Sequence, residues 1–359
     1  MFAARVTDAT MRYPMLLTAL LLCLSVSPAV HGKISLPKTY TADRISAALG
    51  PPTESELDRL SSLLAPILVE RQPGTPGHAD VQRHFESHFS SLGWHLSDDA
   101  PFTMDTPRGP VSFRNLVFTF NPASPRRLVL AAHYDSKWMP GRFIGAIDSA
   151  APCAALLRLA ERFTDLVRAG AASPRRDISL QIVFFDGEEA FDKWTATDSI
   201  YGSRTLASTW SQQPSRSNTT WSEATALTDI DVLVLLDLLG APDPVIYDTQ
   251  PSGSRPFQRL ARVERRLRDA ALVHETSARK KSYLSLARPP WLESAAAGLG
   301  DDHVPFVERG VAVVHLIPMP FPSVWHTVKD DETAISIKVI ADWERILSVF
   351  VWEYLAALK

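Results

Sequence analysis

Cysteine is scarce in this sequence, and its scarcity excludes one class of protein. The 359 residues include two cysteines, Cys23 and Cys153. Cys23 lies in an N-terminal apolar run, so removal of that run would leave Cys153 alone and an intrachain disulfide impossible. A small fold stapled by disulfides is therefore excluded, and the 45% of hydrophobic residues must supply a large core instead.

The chain also lacks an excess of charge of either sign. Its formal net charge is −3, 21% of its residues are charged, and no long basic run appears. Proteins that bind nucleic acid through electrostatics carry such a run or patch. The composition is that of an ordinary globular protein, and nucleic acid is not an expected partner.

The apolar run near the N-terminus is too short for an ordinary membrane span. It covers Met15–Val26 and is cut off by Pro28, whereas a span needs about 20 apolar residues. Arg5 and Arg12 precede the run, and the small residues at 29–32 follow it. This order of charged, apolar and small residues is typical of a secretory signal peptide.

The sequence therefore predicts a signal peptide over residues 1–32, a single domain over 33–359 and a secreted protein. The alternative is that the N-terminal segment stays in place as a membrane anchor of the Golgi type. A sequon at Asn218 lies in a polar stretch that is typical of a surface loop. Glycosylation there and the fate of the N-terminal segment both stay open at this point.

Four apolar runs predict the centre of the fold. Each is almost continuously apolar instead of alternating, as expected for parallel strands that are covered on both faces. Helical patterns lie between or after them, and this alternation predicts an α/β fold: a three-layer sandwich whose mostly parallel central sheet is flanked by helices. The four runs are 127–132, 178–185, 231–236 and 310–317; the helices are predicted from about 53 to 70, 79 to 92, 151 to 167, 257 to 272 and 332 to 358; two further strand-like runs cover 94–103 and 111–120.

Polar residues follow these runs at the points where the predicted strands end. In open α/β sheets, ligands bind beyond the carboxyl ends of the strands. Taken singly, each of these residues has an ordinary alternative, such as a helix cap for Asp148 or a turn for Asp237. Taken together, they are carboxylates and imidazoles, which zinc accepts as ligands, and a catalytic zinc takes three protein ligands and keeps one open position. The set that predicts a metal site is His133, Asp148, Glu188, Glu189, Asp237 and His326.

The two adjacent glutamates suggest that each has a different chemical role. Glu188 and Glu189 follow a strand and an Asp-Gly turn, in the stretch QIVFFDGEEAFDKW. On an irregular loop, neighbouring side chains can point in different directions. One glutamate can then bind the metal while the other acts as a general acid or base beside it.

These motifs resemble the secreted, zinc-dependent glutaminyl-peptide cyclotransferases (glutaminyl cyclases), whose fold is that of the zinc aminopeptidases. The resemblance covers the chain from about residue 40 to its end and implies an enzyme that converts the N-terminal glutamine of peptides and proteins to pyroglutamate with release of ammonia. The segments that carry it are AHYDSK at 132–137, GAIDSA at 145–150, FFDGEEAF at 184–191, DSIYGSR at 198–204, LLDLLGAP at 235–242, DDHVPF at 301–306 and HLIP through VWHT at 315–327.

The resemblance also implies a role for each site residue. It implies one zinc ion bound by Asp148, Glu189 and His326. It makes Glu188 the acid/base that moves a proton from the substrate amine to the leaving ammonia. Asp237 and Asp301 match a hydrogen-bonded pair of carboxylates that would titrate as one coupled unit. The residues that match the aromatic lining of the substrate pocket are Trp194, Phe321 and Trp325.

The sequence departs from the family in two places. Animal secreted members carry a disulfide from the position of Cys153 to the residue before the His133 motif, and here that residue is Ala132. The stretch 280–300 also matches the family poorly, so the rim of the pocket is expected to differ.

Two other functions compete with this hypothesis. A secreted zinc aminopeptidase would use two zinc ions, with His133 and Asp237 as additional ligands. A catalytically dead binding domain would have lost a ligand or the acid/base, and none is lost here. Peptide or protein N-termini are the expected partners, the protein is expected to be a monomer, and a membrane partner is expected only if the N-terminal segment is an anchor.

Overall fold

The structure is a computed structural model that describes residues 39–97, 100–217, 223–276 and 282–358. A six-stranded mixed sheet lies at its centre. The helices are α1 (Ala42–Leu49), α2 (Glu54–Leu64), α3 (Pro76–Leu92), α4 (Ala151–Arg168), α5 (Tyr201–Gln212), α6 (Ser254–Asp269), α7 (Leu292–Ala297), α8 (Val304–Val307) and α9 (Ile337–Leu355). The strands are β1 (His95–Ser97), β2 (Phe102–Thr106), β3 (Gly109–Phe113), β4 (Leu116–Thr119), β5 (Arg126–His133), β6 (Ala172–Pro174), β7 (Ile178–Phe185), β8 (Ile230–Leu236), β9 (Ile246–Tyr247), β10 (Leu284–Ser285), β11 (Val313–Leu316) and β12 (Ala356–Leu358).

The strand order of the central sheet is β1-β4-β7-β5-β8-β11. Strands β7, β5, β8 and β11 are parallel to one another, and β4 and β1 extend the sheet in antiparallel fashion. The four apolar runs of the sequence are these four parallel strands. The predicted α/β class, with a mostly parallel sheet between helices, is confirmed.

The two faces of the sheet pack against different helices, because successive side chains of a strand point to opposite faces. On one face, Val183 and Phe185 of β7 belong to a core cluster with Trp210 of α5 and Phe306 of α8. On the other face, the ring of Phe184 lies 4.3 Å from that of Phe85 in α3. Both faces are covered, which explains the continuous apolar runs.

Several boundaries differ from those predicted. The run 94–103 divides into β1 and β2, and the run 111–120 divides into β3 and β4. Strands β2 and β3 pair with each other as a separate hairpin, because their side chains alternate between exposed and half-buried positions and cannot sit in a fully covered sheet.

The helices show smaller differences. The capping box of Thr53 and Glu56 is present at the start of α2, whereas α9 begins at Ile337 and not near 332. Helix α5 was not predicted at all. Its second residue is Gly202, and a Cβ there would lie 2.4 Å from the carbonyl oxygen of Asp186. The helix therefore needs a glycine, which sequence patterns associate with turns.

The N-terminal predictions and the Asn218 sequon lie outside the described residues. Within the described part of the chain, no helix is long and apolar enough to cross a membrane. The signal peptide, the alternative anchor and the single domain over 33–359 stay predictions.

Candidate active site

The carboxyl ends of the parallel strands bring the predicted site residues to one edge of the sheet. Strand β5 ends at His133, β7 is followed by the two glutamates, and β8 is followed by Asp237. The structure also brings Asp148 and His326 to this edge, from the loop before α4 and from the loop after β11.

A glycine turn separates the two glutamates from their strand. Gly187 has a φ of +68°, and a Cβ on it would lie 2.4 Å from the ring of Phe113. The chain can reverse here because glycine tolerates both the conformation and the close contact. After the turn, the backbone N–H groups of Glu188 and Glu189 donate to the two carboxylate oxygens of Asp135, at 3.0 and 3.2 Å. Asp135 thereby fixes the start of the loop, and the two glutamate side chains enter different surroundings.

Asp148, Glu189 and His326 form a group that could hold a metal ion. One oxygen or nitrogen from each lies within 4.8 Å of the others. The Nε2 atom of His326 is 3.1 Å from Glu189 Oε1 and 3.4 Å from Asp148 Oδ2. That Asp148 oxygen is buried and has no hydrogen-bond partner among the described residues. Two carboxylates, one imidazole and an unsatisfied buried oxygen fit a divalent cation such as zinc.

His133, Asp148 and Asp237 form a second such group beside the first. His133 Nε2 lies 3.0 Å from Asp148 Oδ1 and 3.4 Å from Asp237 Oδ1. The same Asp237 oxygen accepts hydrogen bonds from the Ser149 hydroxyl at 2.5 Å and from the Leu238 N–H at 2.8 Å. Asp148 is shared by the two groups, whereas Asp237 is already held by its neighbours.

Glu188 lies outside both groups. It is 6% exposed, and burial raises its pKa well above the ordinary value, helped by the negative charges of Glu189 and Asp301. A carboxyl group in this setting holds a proton more readily than one in water. It is suited to accepting and returning a proton.

Asp301 and Asp237 are both buried and both have a raised pKa. Burial is the main cause for each, and the charge of Asp301 adds to the shift of Asp237. Asp301 Oδ2 lies 2.6 Å from His315 Nε2. The ring centroid of His315 is 4.3 Å from that of His303, and Asp301, His303 and His315 form a third group of potential metal ligands. The shared proton between Asp237 and Asp301 stays a prediction.

Two of the three predicted aromatic residues lie beside His326, and the third lies beside Gly300. The ring centroids of Trp325 and His326 are 4.0 Å apart and those of Phe321 and Trp325 are 4.7 Å apart. Trp194 lies against Gly300, the residue before Asp301, since a Cβ there would be 2.9 Å from its indole nitrogen. Trp194 and Trp325 are 44% and 38% exposed, so both rings are accessible to a ligand.

A buried arginine supports the loop that carries Asp148. The side chain of Arg71 is fully buried and donates to the carbonyl oxygens of Tyr134 at 2.8 Å, Gly145 at 3.0 Å and Asp148 at 3.2 Å, and also to that of Ile144. The guanidinium therefore joins the end of β5 to the Asp148 loop.

Sequence reasoning assigned no role to five residues that the structure places here. They lie next to predicted residues: Lys137 Nζ, for example, is 3.0 Å from Glu189 Oε2. Four of them belong to the quoted motifs, so their closeness in sequence to the predicted site residues could have identified them. The five are Arg71, Asp135, Lys137, Ser149 and His315.

Comparison with known proteins supplies the family. The family model of peptidase family M28 matches residues 115–351. A glutaminyl-peptide cyclotransferase from Bothrops jararaca is 41% identical over 302 residues, which are 81% of this chain and 79% of the relative. The chain belongs to peptidase family M28 and to its glutaminyl-peptide cyclotransferases. The family predicted from the motifs is therefore confirmed.

Solved structures agree with this assignment. The crystal structure of Macrostomum lignano glutaminyl cyclase superposes with a TM-score of 0.76 at 39% identity and covers 89% of this chain and 94% of its own. A Zn-dependent exopeptidase from Parabacteroides distasonis, at 18% identity and a TM-score of 0.59, covers 88% of this chain and 99% of its own, and shows that the two proteins share a fold. The predicted likeness to zinc exopeptidases thus holds for the fold, and zinc is the metal that the M28 family and the three ligand groups indicate.

Proposed function

We propose that this protein is a glutaminyl-peptide cyclotransferase, which converts the N-terminal glutamine of peptides to pyroglutamate and releases ammonia. The observation that carries the proposal is the separation of the two glutamates. Glu189 lies in a three-residue metal group, and its neighbour Glu188 is buried outside that group with a raised pKa. An acid/base held beside, but not on, a metal is what an internal aminolysis requires.

One zinc ion, bound by Asp148, Glu189 and His326, fits this site. When bound, zinc would supply Lewis-acid polarisation of the side-chain amide and stabilisation of developing negative charge. The second group is less suited to an ion, because its Asp237 oxygen near His133 already accepts two hydrogen bonds.

The protein residues then have distinct tasks. The substrate α-amine forms the new C–N bond to its own side-chain amide carbon, and the bond from that carbon to the amide nitrogen breaks. Glu188 takes one proton from the attacking amine and gives it to the departing nitrogen, which leaves as ammonia. Trp194, Phe321 and Trp325 hold the glutamine side chain folded back on the amine, which contributes by orientation.

The direct test is to offer the purified full chain two peptides that differ at the first residue. A Gln-initiated peptide should release ammonia, and a Leu-initiated peptide should release no free leucine. An N-acetylated Gln peptide is the matched control, because it keeps the amide but has lost the nucleophile. Ammonia from the acetylated peptide, or no ammonia from the free one, would contradict the proposal.

The alternative function is an aminopeptidase with two zinc ions, and one observation favours it. The ligand atoms of His133, Asp148 and Asp237 are as close together as those of the first group. Metal analysis after dialysis separates the alternatives. We expect about one zinc per chain, lost in His326→Ala and kept in His133→Ala; two zinc ions and free leucine would identify an aminopeptidase.

We infer from the signal-peptide pattern of residues 1–32 that the protein is secreted, and we expect it to be a monomer. Expression in a eukaryotic cell should deliver the protein to the medium with residues 1–32 removed, and light scattering should give the mass of one chain. Retention in the membrane fraction would instead indicate the Golgi-type anchor.

A further inference from the structure

Asp330 is a buried carboxylate that lies four residues after His326 and has no part in the proposed reaction. Its exposed fraction is 1%, whereas its neighbours in sequence, from 327 to 329 and from 331 to 338, are exposed or half-buried. Acidic side chains are seldom fully buried unless they are hydrogen-bonded or paired. The contacts of Asp330 therefore indicate why this carboxylate lies inside the protein.

Asp330 binds the loop that carries Asp148 through two neighbouring amides. Its Oδ1 atom accepts from the Ile147 N–H at 2.8 Å, and its backbone carbonyl oxygen accepts from the Ala146 N–H at 3.2 Å. The side-chain contact is thus made with the residue directly before a metal ligand. Because Asp330 itself belongs to the segment of His326, it joins the segments of two metal ligands.

The Asp148 loop is held from two sides, by side chains of opposite charge. Arg71 donates to the carbonyl oxygens of Gly145 and Asp148, and Asp330 accepts from the amides between them. The loop is tightly folded, because Gly145 has a φ of +48° and a Cβ on it would clash with the Asp148 carbonyl oxygen. Of these two side chains, that of Asp330 comes from the segment of another ligand, His326.

The segment of His326 needs such an anchor. His326 has a φ of +52°, which is in the left-handed region and unfavourable for a residue with a Cβ. Residues persist in this region only where surrounding contacts fix them. Here the Thr327 N–H donates to the Val324 carbonyl oxygen and the Asp330 N–H donates to the Thr327 carbonyl oxygen, each at 3.0 Å. The second of these turns ends at Asp330, whose side chain is fixed on the Asp148 loop.

The separation of the two ligands depends on these contacts. His326 Nε2 lies 3.4 Å from Asp148 Oδ2, although the two residues belong to different loops. If the loops were not joined, a metal ion would have to order both of them when it binds. Joined loops are ordered before the ion arrives, and less conformational entropy is then lost on binding.

A purely local role for Asp330 fits less well. Its neighbour Asp331 provides the comparison, because the Asp331 carboxylate accepts from the N–H and hydroxyl groups of Thr333, at 2.9 and 2.6 Å, and so stabilises its own turn. The side chain of Asp330 instead accepts from an amide 183 residues away in sequence. Such a contact joins distant segments and does not stabilise a turn.

We propose that Asp330 is a positioning residue of the metal site, which fixes the Asp148 loop on the segment of His326 and thereby sets the distance between these two ligands. The inference rests on the proposed function, because it requires the single zinc ion that Asp148, Glu189 and His326 would bind. Asp330 is not one of the ligands, so its effect should appear in zinc affinity and not in the chemical step.

The test is zinc affinity, measured by competition with a chelator on the purified full chain. Asp330→Ala removes the acceptor of the Ile147 N–H, whereas Asp330→Asn keeps a carbonyl oxygen in its place. Asp331→Ala is the matched control, because it removes the same charge one residue away. We expect zinc affinity to fall by about 10- to 100-fold in Asp330→Ala, to recover most of that loss in Asp330→Asn, and to stay within about threefold of the wild type in Asp331→Ala.

Thermal unfolding with and without zinc separates positioning from a general loss of stability. Zinc raises the melting temperature by binding the folded state, and the rise depends on its affinity. The rise should be smaller in Asp330→Ala than in the wild type and in Asp331→Ala. A residue that only stabilised the fold would lower both melting temperatures and leave the rise unchanged.

A second variant covers the case in which Asp330→Ala does not fold. Asp330→Ser places its hydroxyl oxygen one bond closer to the backbone than the carboxylate oxygens, too far from the Ile147 N–H, and should show the same loss of zinc affinity. Equal zinc affinities in the wild type and these variants, an unchanged rise in melting temperature, or an Asp330→Asn protein as weak as Asp330→Ala would overturn the inference alone. A wild type that binds no zinc would overturn the metal site of the proposed function, and the inference with it.

Discussion

The ion network between α2, α4 and α9 and the candidate active site both bury carboxylates, but they surround them differently. In the network, Glu344 accepts from Arg162 at 2.8 Å, and Glu56 pairs with both Arg162 and Arg345. Burial raises the pKa of Glu56, yet its bonds to His274, Arg345 and Arg162 outweigh burial and hold that pKa well below the ordinary value. Each carboxylate of the network faces a cation.

At the site, three of the carboxylates are influenced by the negative charge of other carboxylates. The pKa values of Glu188, Asp237 and Asp301 are all raised, by burial first and then by neighbouring carboxylates. Such crowding is unfavourable in a protein that only has to fold. A bound cation and a moving proton would offset this crowding, so the raised pKa values of Glu188, Asp237 and Asp301 favour a reactive role for these three groups.

The largest effect that separates the two regions is expected for Glu188→Gln. Removal of the acid/base should lower kcat/KM for a Gln-initiated peptide by about 10³-fold, while the melting temperature stays the same or rises because carboxylate repulsion is reduced. Ammonia release and thermal unfolding measure the two effects. Asp192→Asn, which changes an exposed carboxylate nearby, is the control. A stable variant with normal activity would remove Glu188 from the mechanism.

A substitution in the ion network should have the opposite effect, lowering stability and leaving activity unchanged. Glu344→Ala leaves Arg162 buried with only part of its ion pairing, which should lower the free energy of unfolding by about 3 kcal/mol. Denaturant unfolding measures this loss, and the activity per folded molecule should not change. If activity fell with stability unchanged, the division between the two regions would be wrong.

Arg71 is a buried cation like those of the network, but near the metal site it donates to backbone carbonyl oxygens and not to a carboxylate. Arg71→Lys keeps the positive charge but loses most of the guanidinium N–H groups that donate to several carbonyl oxygens. The loop of Asp148 should loosen, and zinc affinity should fall by about 10- to 100-fold. Competition with a chelator measures the affinity, and excess zinc should restore activity. Activity that excess zinc does not restore would indicate a fold defect instead.

The exposed side of the site should respond more weakly than its buried carboxylates. Trp325→Ala removes the ring that lies against His326 and Phe321, and KM should rise by about tenfold with a smaller change in kcat. Trp291→Ala is the matched control, because Trp291 is 46% exposed and packs on Tyr247. Equal effects of the two substitutions would argue that Trp325 does not contact substrate.

The smallest expected effect is a dependence of stability on pH, which arises from Glu344 of the ion network. The pKa of Glu344 is lowered because Arg162 outweighs the effect of burial, so its stabilising contribution is present above its unfolded pKa of about 4.5 and is lost as pH falls through the lower folded value. The stability difference between the wild type and Glu344→Gln should therefore shrink by about 1 kcal/mol between pH 7 and pH 3. Unfolding curves at both pH values measure it; a constant difference would show that Glu344 acts through packing.

The sequence was sufficient for the parts of this protein that depend on local pattern. Continuous apolar runs predicted β5, β7, β8 and β11, because burial on both faces leaves no alternation. The rule that ligands bind at the carboxyl ends of parallel strands then placed His133, Glu189 and Asp237 at one edge.

The parts that escaped prediction depend on contacts between distant segments. The partners of Arg71 near the site are backbone carbonyl oxygens 63 to 77 residues away, and no residue type marks such a partner. Helix α5 was not predicted because its second residue is Gly202, and glycine usually indicates a turn. Here the glycine is needed because the helix packs closely against the backbone of Asp186. The division of the 94–103 run into β1 and β2 likewise follows from the separate hairpin that β2 forms with β3.

The environment of Cys153 has a practical consequence. Its thiol is buried, donates to the carbonyl oxygen of His133 at 3.2 Å and has a pKa raised to about 12 by burial. The thiol is therefore a poor nucleophile at neutral pH. Residues 33–359 should consequently tolerate production in a reducing bacterial cytoplasm and storage with a phosphine reductant. Oxidative refolding and thiol-blocking reagents should be unnecessary.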